Sequence, residues 1–289
     1  MRAEQVQAFI DVTEHGSFAA AARHTGIKRS TLSAAVNALE DSLGVELFER
    51  SGNSLQLSAV GESVLPDCYR LLTSASRIKK HCQQHMQGVE NQLCIARDDA
   101  LPEAFWRQVM HDLKQRYPLT AISVYLLPPQ EHPQFVSRQT VDIAFGLYTA
   151  EGASVNASNL APVSMCLVAA PTHPLSRLLS VNRDDLAQYT QVCLTYDQGD
   201  KLVSEALFSG NYLGFTMFEV IRDAVINATG WALLPYPLVK QALEADTLCA
   251  LNHDLALDSH YYRFVESDNR GVVATALLNK VAHFLATLN

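Results

Sequence analysis

The chain has 289 residues, 48% of them apolar and 18% charged, and a formal net charge of −8. That is the composition of packed globular domains and excludes a disordered or fibrous chain. No apolar run approaches the roughly 20 residues that a bilayer span requires, and Asp11 and Glu14 interrupt the first apolar stretch, which excludes the apolar core of a secretion signal there.

A cytoplasmic protein without a membrane partner is therefore expected. The six cysteines, at 68, 82, 94, 166, 193 and 249, form no CxxC pair and no Cys/His cluster at zinc spacing. Neither a metal nor another cofactor is expected, and the thiols read as mostly buried packing groups. The negative charge is unevenly placed: residues 1–58 carry −2, residues 59–88 carry +2, and the remainder carries −8. A chain this acidic does not hold nucleic acid through its overall field, so any such binding has to come from a local patch.

Val6, Phe9 and Ile10 recur at helical spacing and predict a first helix over about 4–15, ended by His15-Gly16. Ser17 is placed to cap a second helix, about 18–24, whose run Ala19–Ala22 lets another helix cross closely. After the glycine-containing turn Thr25-Gly26-Ile27, a third helix is predicted over about 29–43 with Leu32, Val36, Leu39 and Leu43 as its buried stripe. Its opposite face gathers Arg29, Ser30, Ser33 and Asn37 near the helix start, with Thr31 and Ala34 beside them and Arg23 and Lys28 just upstream. Hydroxyl, amide and guanidinium groups suit base edges and phosphates in a major groove. An ordinary solvated helix face would carry the same residue types, and this stretch alone does not separate the two. The segment from Val45 to Leu57, around Ser51-Gly52-Asn53, then reads as a small hairpin, a wing from which Arg50 and Asn53 can reach phosphate or the minor groove.

The runs FIDVTEHGSFAAAARHTGI (9–27), TLSAAVNALEDSLGVELFER (31–50) and LQLSAVGE (55–62) resemble the LysR-type transcriptional regulators over about sixty residues without a gap. The resemblance implies an N-terminal winged helix-turn-helix that binds double-stranded operator DNA, a long linker helix, and a two-lobed α/β effector-binding domain like a periplasmic binding protein. It also implies a homodimer or dimer of dimers, and contact with RNA polymerase if the protein activates. Lys28, Arg29 and Ser30 stand where the family usually has Ser-Gln-Pro, so Arg29 replaces a glutamine that often reads a base. Arginine prefers guanine where glutamine prefers adenine. Ala34, Ala35, Asn53 and Ser54 stand where polar or basic residues are common, which leaves phosphate contacts to Arg23, Lys28, Arg29 and Arg50.

Ser58 can cap a linker helix running to about Gln87. Val64, Leu71 and Ile78 alternate with Cys68, Ala75 and Cys82 at 3.5-residue spacing, the pattern of a coiled-coil seam, and Pro66 is expected to bend the helix early. The resemblance implies that this helix pairs antiparallel with a second copy. The domains are thus expected at 1–58, 59–88 and 89–289.

From residue 89 onward strands and helices alternate. Leu93–Ala96, Ala121–Leu127 and Val141–Phe145 read as strands, with helices near 102–116 and 130–138, the βαβαβ order of a parallel sheet. After Leu160–Ala169 a second set follows: strands near 190–195, 212–216 and 230–234, and helices near 183–188, 200–209, 218–228 and 236–244. A strand near 260–265 and a helix over about 271–288 end the chain. One lobe is expected at about 89–161 with 266–289, the other at about 162–265.

Ligands of open α/β sheets lie beyond the carboxyl ends of the strands. The segments expected there are Arg97, Asp98, Asp99, Ala100 and Leu101; Leu127 to Pro129; Gly146 and Tyr148; Thr195, Tyr196 and Asp197; and Tyr212 to Phe218, Phe218 included. Many relatives carry small hydroxyl residues in the first of these. Two carboxylates there would repel an acid and favour an amine, a polyol or a neutral polar effector. The competing reading is that Asp98 or Asp99 caps the helix at 102–116. The chain carries no GxSxG, HExxH or phosphate-loop motif, and its histidines are scattered, so no catalysis is expected. Two other functions stay open: a thiol-redox regulator using Cys193 or Cys166, and a solute-binding protein. Cys193 reads as an interior strand position without an evident partner cysteine, and the winged helix argues against a transport receptor.

Overall fold

The computed structural model describes residues 1–51, 54–150, 157–197, 202–204, 207–267 and 270–288. It divides into two compact units, Met1–Gln87 and Gly88–Asn289.

The first unit opens with α1 (Ala3–His15), α2 (Phe18–Thr25) and α3 (Arg29–Leu43). Ser17 accepts a hydrogen bond from the Ala20 amide and so caps α2. Gly26 ends α2 at φ 73°, a left-handed turn in which any Cβ would be strained. Val6, Phe9, Ile10, Ala21, Leu32, Val36 and Leu39 form one buried cluster. Leu43, expected in that stripe, is exposed instead, because the helix ends there and Gly44 turns the chain away. β1 (Phe48–Ser51) and β2 (Ser54–Leu57) pair antiparallel.

α4 (Ala59–Met86) follows, with Pro66 inside it. The Ser58 hydroxyl accepts the Gly61 amide and caps it. The expected seam divides in two. Val64 and Cys68 are half-buried and pack, with Leu65 and Leu72, against the cluster of α1 and α3. They serve the unit's own core and not an outward seam, because the first turns of α4 lie along α1. Leu71 is half-buried, and Ala75, Ile78 and Cys82 are exposed.

The second unit holds two sheets. β3 (Gln92–Arg97), α5 (Glu103–Arg116), β4 (Ala121–Leu126), α6 (His132–Ser137), β5 (Ile143–Thr149) and β6 (Ser158–Val163) come first. The chain then crosses at Ser164 into β7 (Met165–Ala169), a 3-10 turn (Pro174–Arg177), α7 (Arg183–Ala187), β8 (Gln191–Asp197), β9 (Leu202–Ser204) and β10 (Tyr212–Phe215). α8 (Phe218–Ile226), β11 (Trp231–Pro235), α9 (Tyr236–Glu244) and β12 (Cys249–Ala250) complete the second sheet, and β13 (His260–Glu266) and α10 (Val272–Ala286) return to the first. The strand order is β4-β3-β5-β13-β6 in the first sheet and β10-β8-β11-β7-β12 in the second, with β9 on β8. β3 is parallel to β4 and β5, and β8 is parallel to β10 and β11.

Two expectations are corrected. β13, assigned to the second lobe by sequence, lies between β5 and β6 of the first sheet and is antiparallel to both; its alternating apolar pattern carries no sign of which sheet it joins. The helix expected at 200–209 is replaced over Leu202–Ser204 by β9, paired with Thr195–Asp197 in a hairpin register. The rest of that expected helix at 200, 201, 205 and 206 lies outside the described residues.

Candidate functional site

On the first unit, Arg23, Lys28, Arg29, Ser30, Thr31, Ala34 and Asn37 are exposed and Ser33 is half-buried. None of these side chains makes a hydrogen bond among the described residues, so their donors are free for an external partner. They lie opposite Leu32, Val36 and Leu39, which fix the other side of α3 to the core. Arg50 falls on β1 opposite Leu55; Asn53 lies outside the described residues. Glu40, which the sequence did not single out, ties α3 to the wing: its carboxylate accepts the amides of Leu47 at 2.7 Å and Phe48 at 3.2 Å.

On the second unit, a cavity of about 870 Å³ opens at the carboxyl ends of β3, β4 and β5 and against β8, β10 and β11. Asp98, Asp99, Leu127, Tyr148, Tyr196 and Phe218 line it, as expected. Arg97, Ala100, Leu101, Gly146 and Thr195 do not; Asp197 is the last residue of β8, and its side chain lies outside the described ones. Ala100 and Leu101 are core residues. A Cβ on Gly146 would stand 2.9 Å from the His132 ring and 3.0 Å from Pro129, so glycine is required there for packing and not for a ligand. The Thr195 hydroxyl is spent on Ser204 across the β8–β9 hairpin, at 2.9 Å. Thr216 of the expected Tyr212–Phe218 segment lines it too, whereas Glu131, Met165, Gln191, Cys193, Asp258 and His260 line the cavity and were missed. Glu131 lies just past the Leu127–Pro129 turn that strand-end reasoning did find, whereas Asp258 precedes a strand assigned to the wrong lobe.

The polar groups of the wall are engaged with one another. Asp98 Oδ2 accepts the Leu147 amide at 2.6 Å, and Oδ1 accepts the Ala100 amide at 3.2 Å and the Tyr262 hydroxyl at 3.3 Å. Burial pushes the Asp98 carboxyl up to about 7 against these bonds. Burial also raises Asp99. Arg97 bonds the Asp98 carbonyl oxygen at 3.0 Å, pairs with Glu103, and stacks over Trp106 at 5.3 Å.

Neither aspartate caps α5, whose first residue Glu103 follows Pro102 with no side-chain cap from it. The capping is crossed between lobes. Asp99 Oδ2 accepts the Glu219 amide at the start of α8, at 3.0 Å, and Glu219 Oε1 accepts the Glu103 amide at the start of α5, at 3.3 Å. Each carboxylate thus satisfies a helix N-terminus of the other sheet's layer, where an unpaired amide and the positive helix end favour it. The sequence carried the helix-capping idea but not the exchange of partners.

His132 is fully buried, with Nε2 3.0 Å from the Leu127 carbonyl and Nδ1 3.1 Å from the Tyr148 hydroxyl. Burial lowers its pKa to about 4, so the ring is neutral near pH 7. A carbonyl only accepts, which places the proton on Nε2 and leaves Nδ1 to share the single Tyr148 hydroxyl proton with the Pro129 carbonyl, also at 3.1 Å. All six cysteines are free thiols, and burial pushes Cys68, Cys166 and Cys193 upward, away from the reactive thiolate. No group of three or more potential ligands for a metal ion is found among the described residues, and no helix there is long and apolar enough to cross a membrane.

An exposed helix-turn-helix face with a wing, and a two-sheet α/β unit with a cavity at its strand ends, together define a DNA-binding regulator with an effector-binding domain. The family model for the bacterial regulatory helix-turn-helix protein, lysR family, matches residues 3–62, and that for the LysR substrate binding domain matches residues 86–284. The chain belongs to the LysR family of bacterial transcriptional regulators. It is 28% identical over 246 residues to a probable nitrogen assimilation transcriptional activator of Synechococcus elongatus, covering 81% of this chain and 79% of that one. It is 27% identical over 238 residues to the probable HTH-type transcriptional regulator YhaJ of Escherichia coli, covering 80% and 78%. The structure of CbnR, a LysR family transcriptional regulator, matches with a TM-score of 0.58 at 16% identity over 97% of this chain and 100% of that one, a likeness of fold.

Proposed function

We propose that this regulator acts as a homodimer that reads an inverted-repeat operator with paired α3 helices, under the control of a small molecule held in the cavity of the second unit. The observation that carries the reading is that cavity: about 870 Å³, at the strand ends where α/β sheets hold ligands, and of the size such sites take. The dimer is supported by the later half of α4, where Ala75 and Cys82 are exposed and Ile78 is 64% exposed along one stripe. An apolar stripe of this spacing is what a helix offers to a second helix. On α3, Arg29 is the base reader and Ser30, Thr31, Ser33, Ala34 and Asn37 complete the surface that faces the groove, while Arg23 of α2 and Lys28 just before α3 hold phosphates. Arg50 and Asn53, read from the sequence as wing residues, are assigned phosphate or minor-groove contacts.

Arg29→Ala is the direct test. It is expected to weaken binding to the cognate operator by about 1–3 kcal/mol, with a smaller loss on random DNA of the same length. Equal losses on both, measured by fluorescence anisotropy at one salt concentration, would show that Arg29 holds phosphate and reads no base.

A further inference from the structure

We infer that the cavity of the second unit is built for an organic cation with an apolar body, and that Asp98, Asp99, Glu131 and Asp258 select its positive charge. This rests on the reading of that cavity as the effector site, and it narrows the ligand's chemistry.

The first argument is the balance of charge around the space. Asp98, Asp99, Glu131 and Asp258 all line it, and among the described residues no lysine or arginine does; His260 is its one basic side chain. Two guanidinium groups are buried in the same lobe behind the lining, and Arg263 keeps its Nε and Nη1 without a hydrogen-bond partner among the described residues. Arg97 is committed to Glu103, to the Asp98 carbonyl and to the Trp106 ring. Arg263 is buried among rings, 5.9 Å from the centroid of Tyr148 and 5.4 Å from that of Tyr261. Neither lines the cavity. A carboxylate entering here would lose its water and meet Asp99, Glu131, Asp258 and a partly ionised Asp98 with no lysine or arginine in the described lining, whereas a cation would recover its solvation from them.

The second argument is how the two aspartates are held. Their oxygens accept from the amides of Leu147, Ala100 and Glu219 and from the Tyr262 hydroxyl, all neutral donors. Such bonds fix the carboxyl groups without supplying an opposite charge. The third is the remaining surface. Met165, Val192, Leu194 and Leu233 supply apolar area, and the rings of Tyr196 and Phe208 add faces of the kind that attract alkylammonium groups. A small inorganic cation would leave most of this surface uncovered.

A proton should accompany binding. Asp98 sits at about 7 when the cavity holds no ligand, and a cation beside it favours the ionised form. The groups that face it are Asp99 from its own loop, Tyr148 from β5 and Tyr262 from β13, with Arg97 at the end of β3 bonded to its carbonyl oxygen. The two tyrosines are themselves held neutral by burial, so the carboxyl is the group that gives up the proton.

The experiment uses the full chain and three probes that share one body: 3-phenylpropylamine, 3-phenylpropanol and 3-phenylpropanoate. Titration calorimetry in two buffers of different ionisation enthalpy should show the amine binding more than about tenfold tighter than the alcohol. The carboxylate should give no detectable binding. The amine should release about half a proton at pH 7 and almost none at pH 9. Glu131→Gln combined with Asp258→Asn should erode the preference for the amine over the alcohol by severalfold. Thr216→Trp, at an exposed position of the rim, should abolish binding by filling the space. Alcohol or carboxylate binding as tightly as the amine, and lost in Thr216→Trp, would overturn the charge inference while leaving the cavity as the effector site. Amine binding that survives Thr216→Trp would overturn the cavity reading itself. Failure of all three probes to bind at millimolar concentration would also overturn the inference.

Discussion

The start of α3 and the loop after β3 use the same chemical vocabulary, short polar side chains next to a helix N-terminus, and put it to opposite uses. Around the start of α3 the side chains of Arg23, Lys28, Arg29, Ser30, Thr31, Ser33 and Asn37 make no hydrogen bond among the described residues, while Leu32, Val36 and Leu39 hold the opposite side. After β3, Asp98 and Asp99 are only 6% and 4% exposed, and their oxygens are engaged with β5, β13 and α8. An uncommitted face is ready to bind by rigid docking. A committed wall can only bind by exchanging partners or protons, which is the property a sensor needs. The difference can be broken or sharpened by removing one group at a time.

The largest effect expected comes from the protons of the second unit. The folded Asp98 carboxyl holds its proton up to about 7 while the unfolded one releases it near 3.8. Its contribution to stability is therefore complete below 3.8 and is lost as pH rises through about 7, a change of about 4 kcal/mol. His132 works in the other direction. Its folded ring stays neutral down to about 4 while the unfolded ring charges below 6.5, so its contribution is complete above 6.5 and is lost as pH falls toward 4. Between about 4 and 6.5 the two slopes cancel. Urea unfolding of the second unit at a series of pH values should then show a plateau across that window for these two groups, and Asp98→Asn should remove it, leaving stability that falls on acidification by about 3 kcal/mol. A variant with the same pH profile as the wild-type chain would show that Asp98 is ionised in the folded unit.

The first region was legible in the sequence because its logic is local. The caps, the glycine turn and the 3.6-residue stripe all lie within a few residues of what they control, and only Leu43 and the first half of the linker seam were misjudged. Val64 and Cys68 satisfy a heptad pattern, yet such a pattern does not say whether the surface it meets belongs to the same chain. The cleft was half legible. Strand-end reasoning reached Asp98, Asp99, Leu127, Tyr148, Tyr196 and Phe218, since each follows or ends a strand. It could not reach Asp258, which depends on β13 crossing back to the first sheet, nor Glu219, whose partner Glu103 stands 116 residues away.

That crossed capping gives the next effect in size. Asp99→Ala leaves the Glu219 amide without its acceptor, and Glu219→Ala does the same to the Glu103 amide, each at a cost of about 1–3 kcal/mol. If the two carboxylates act as one clasp between the sheets, the double variant should lose less than the sum of the single losses. Asp99 and Glu219 also repel each other, so part of each single loss is returned as relief of that repulsion. Either single change gains that relief in full and the double gains it only once, so in a double-mutant cycle a loss larger than the sum would show two independent caps and no clasp.

The smallest effect belongs to the first region and tests whether its polar groups are as uncommitted as they look. Glu40 is the exception on α3, since its carboxylate holds the amides of Leu47 and Phe48 and so sets where the wing begins. Glu40→Ala should cost the first unit about 1 kcal/mol and accelerate hydrogen exchange at those two amides ahead of the amides of α1. Because the change removes a negative charge from the DNA-binding unit, electrostatics alone would strengthen operator binding. A loss of affinity in Glu40→Ala would therefore measure the placement of the wing, and a gain would mean that the wing contributes little to holding the operator.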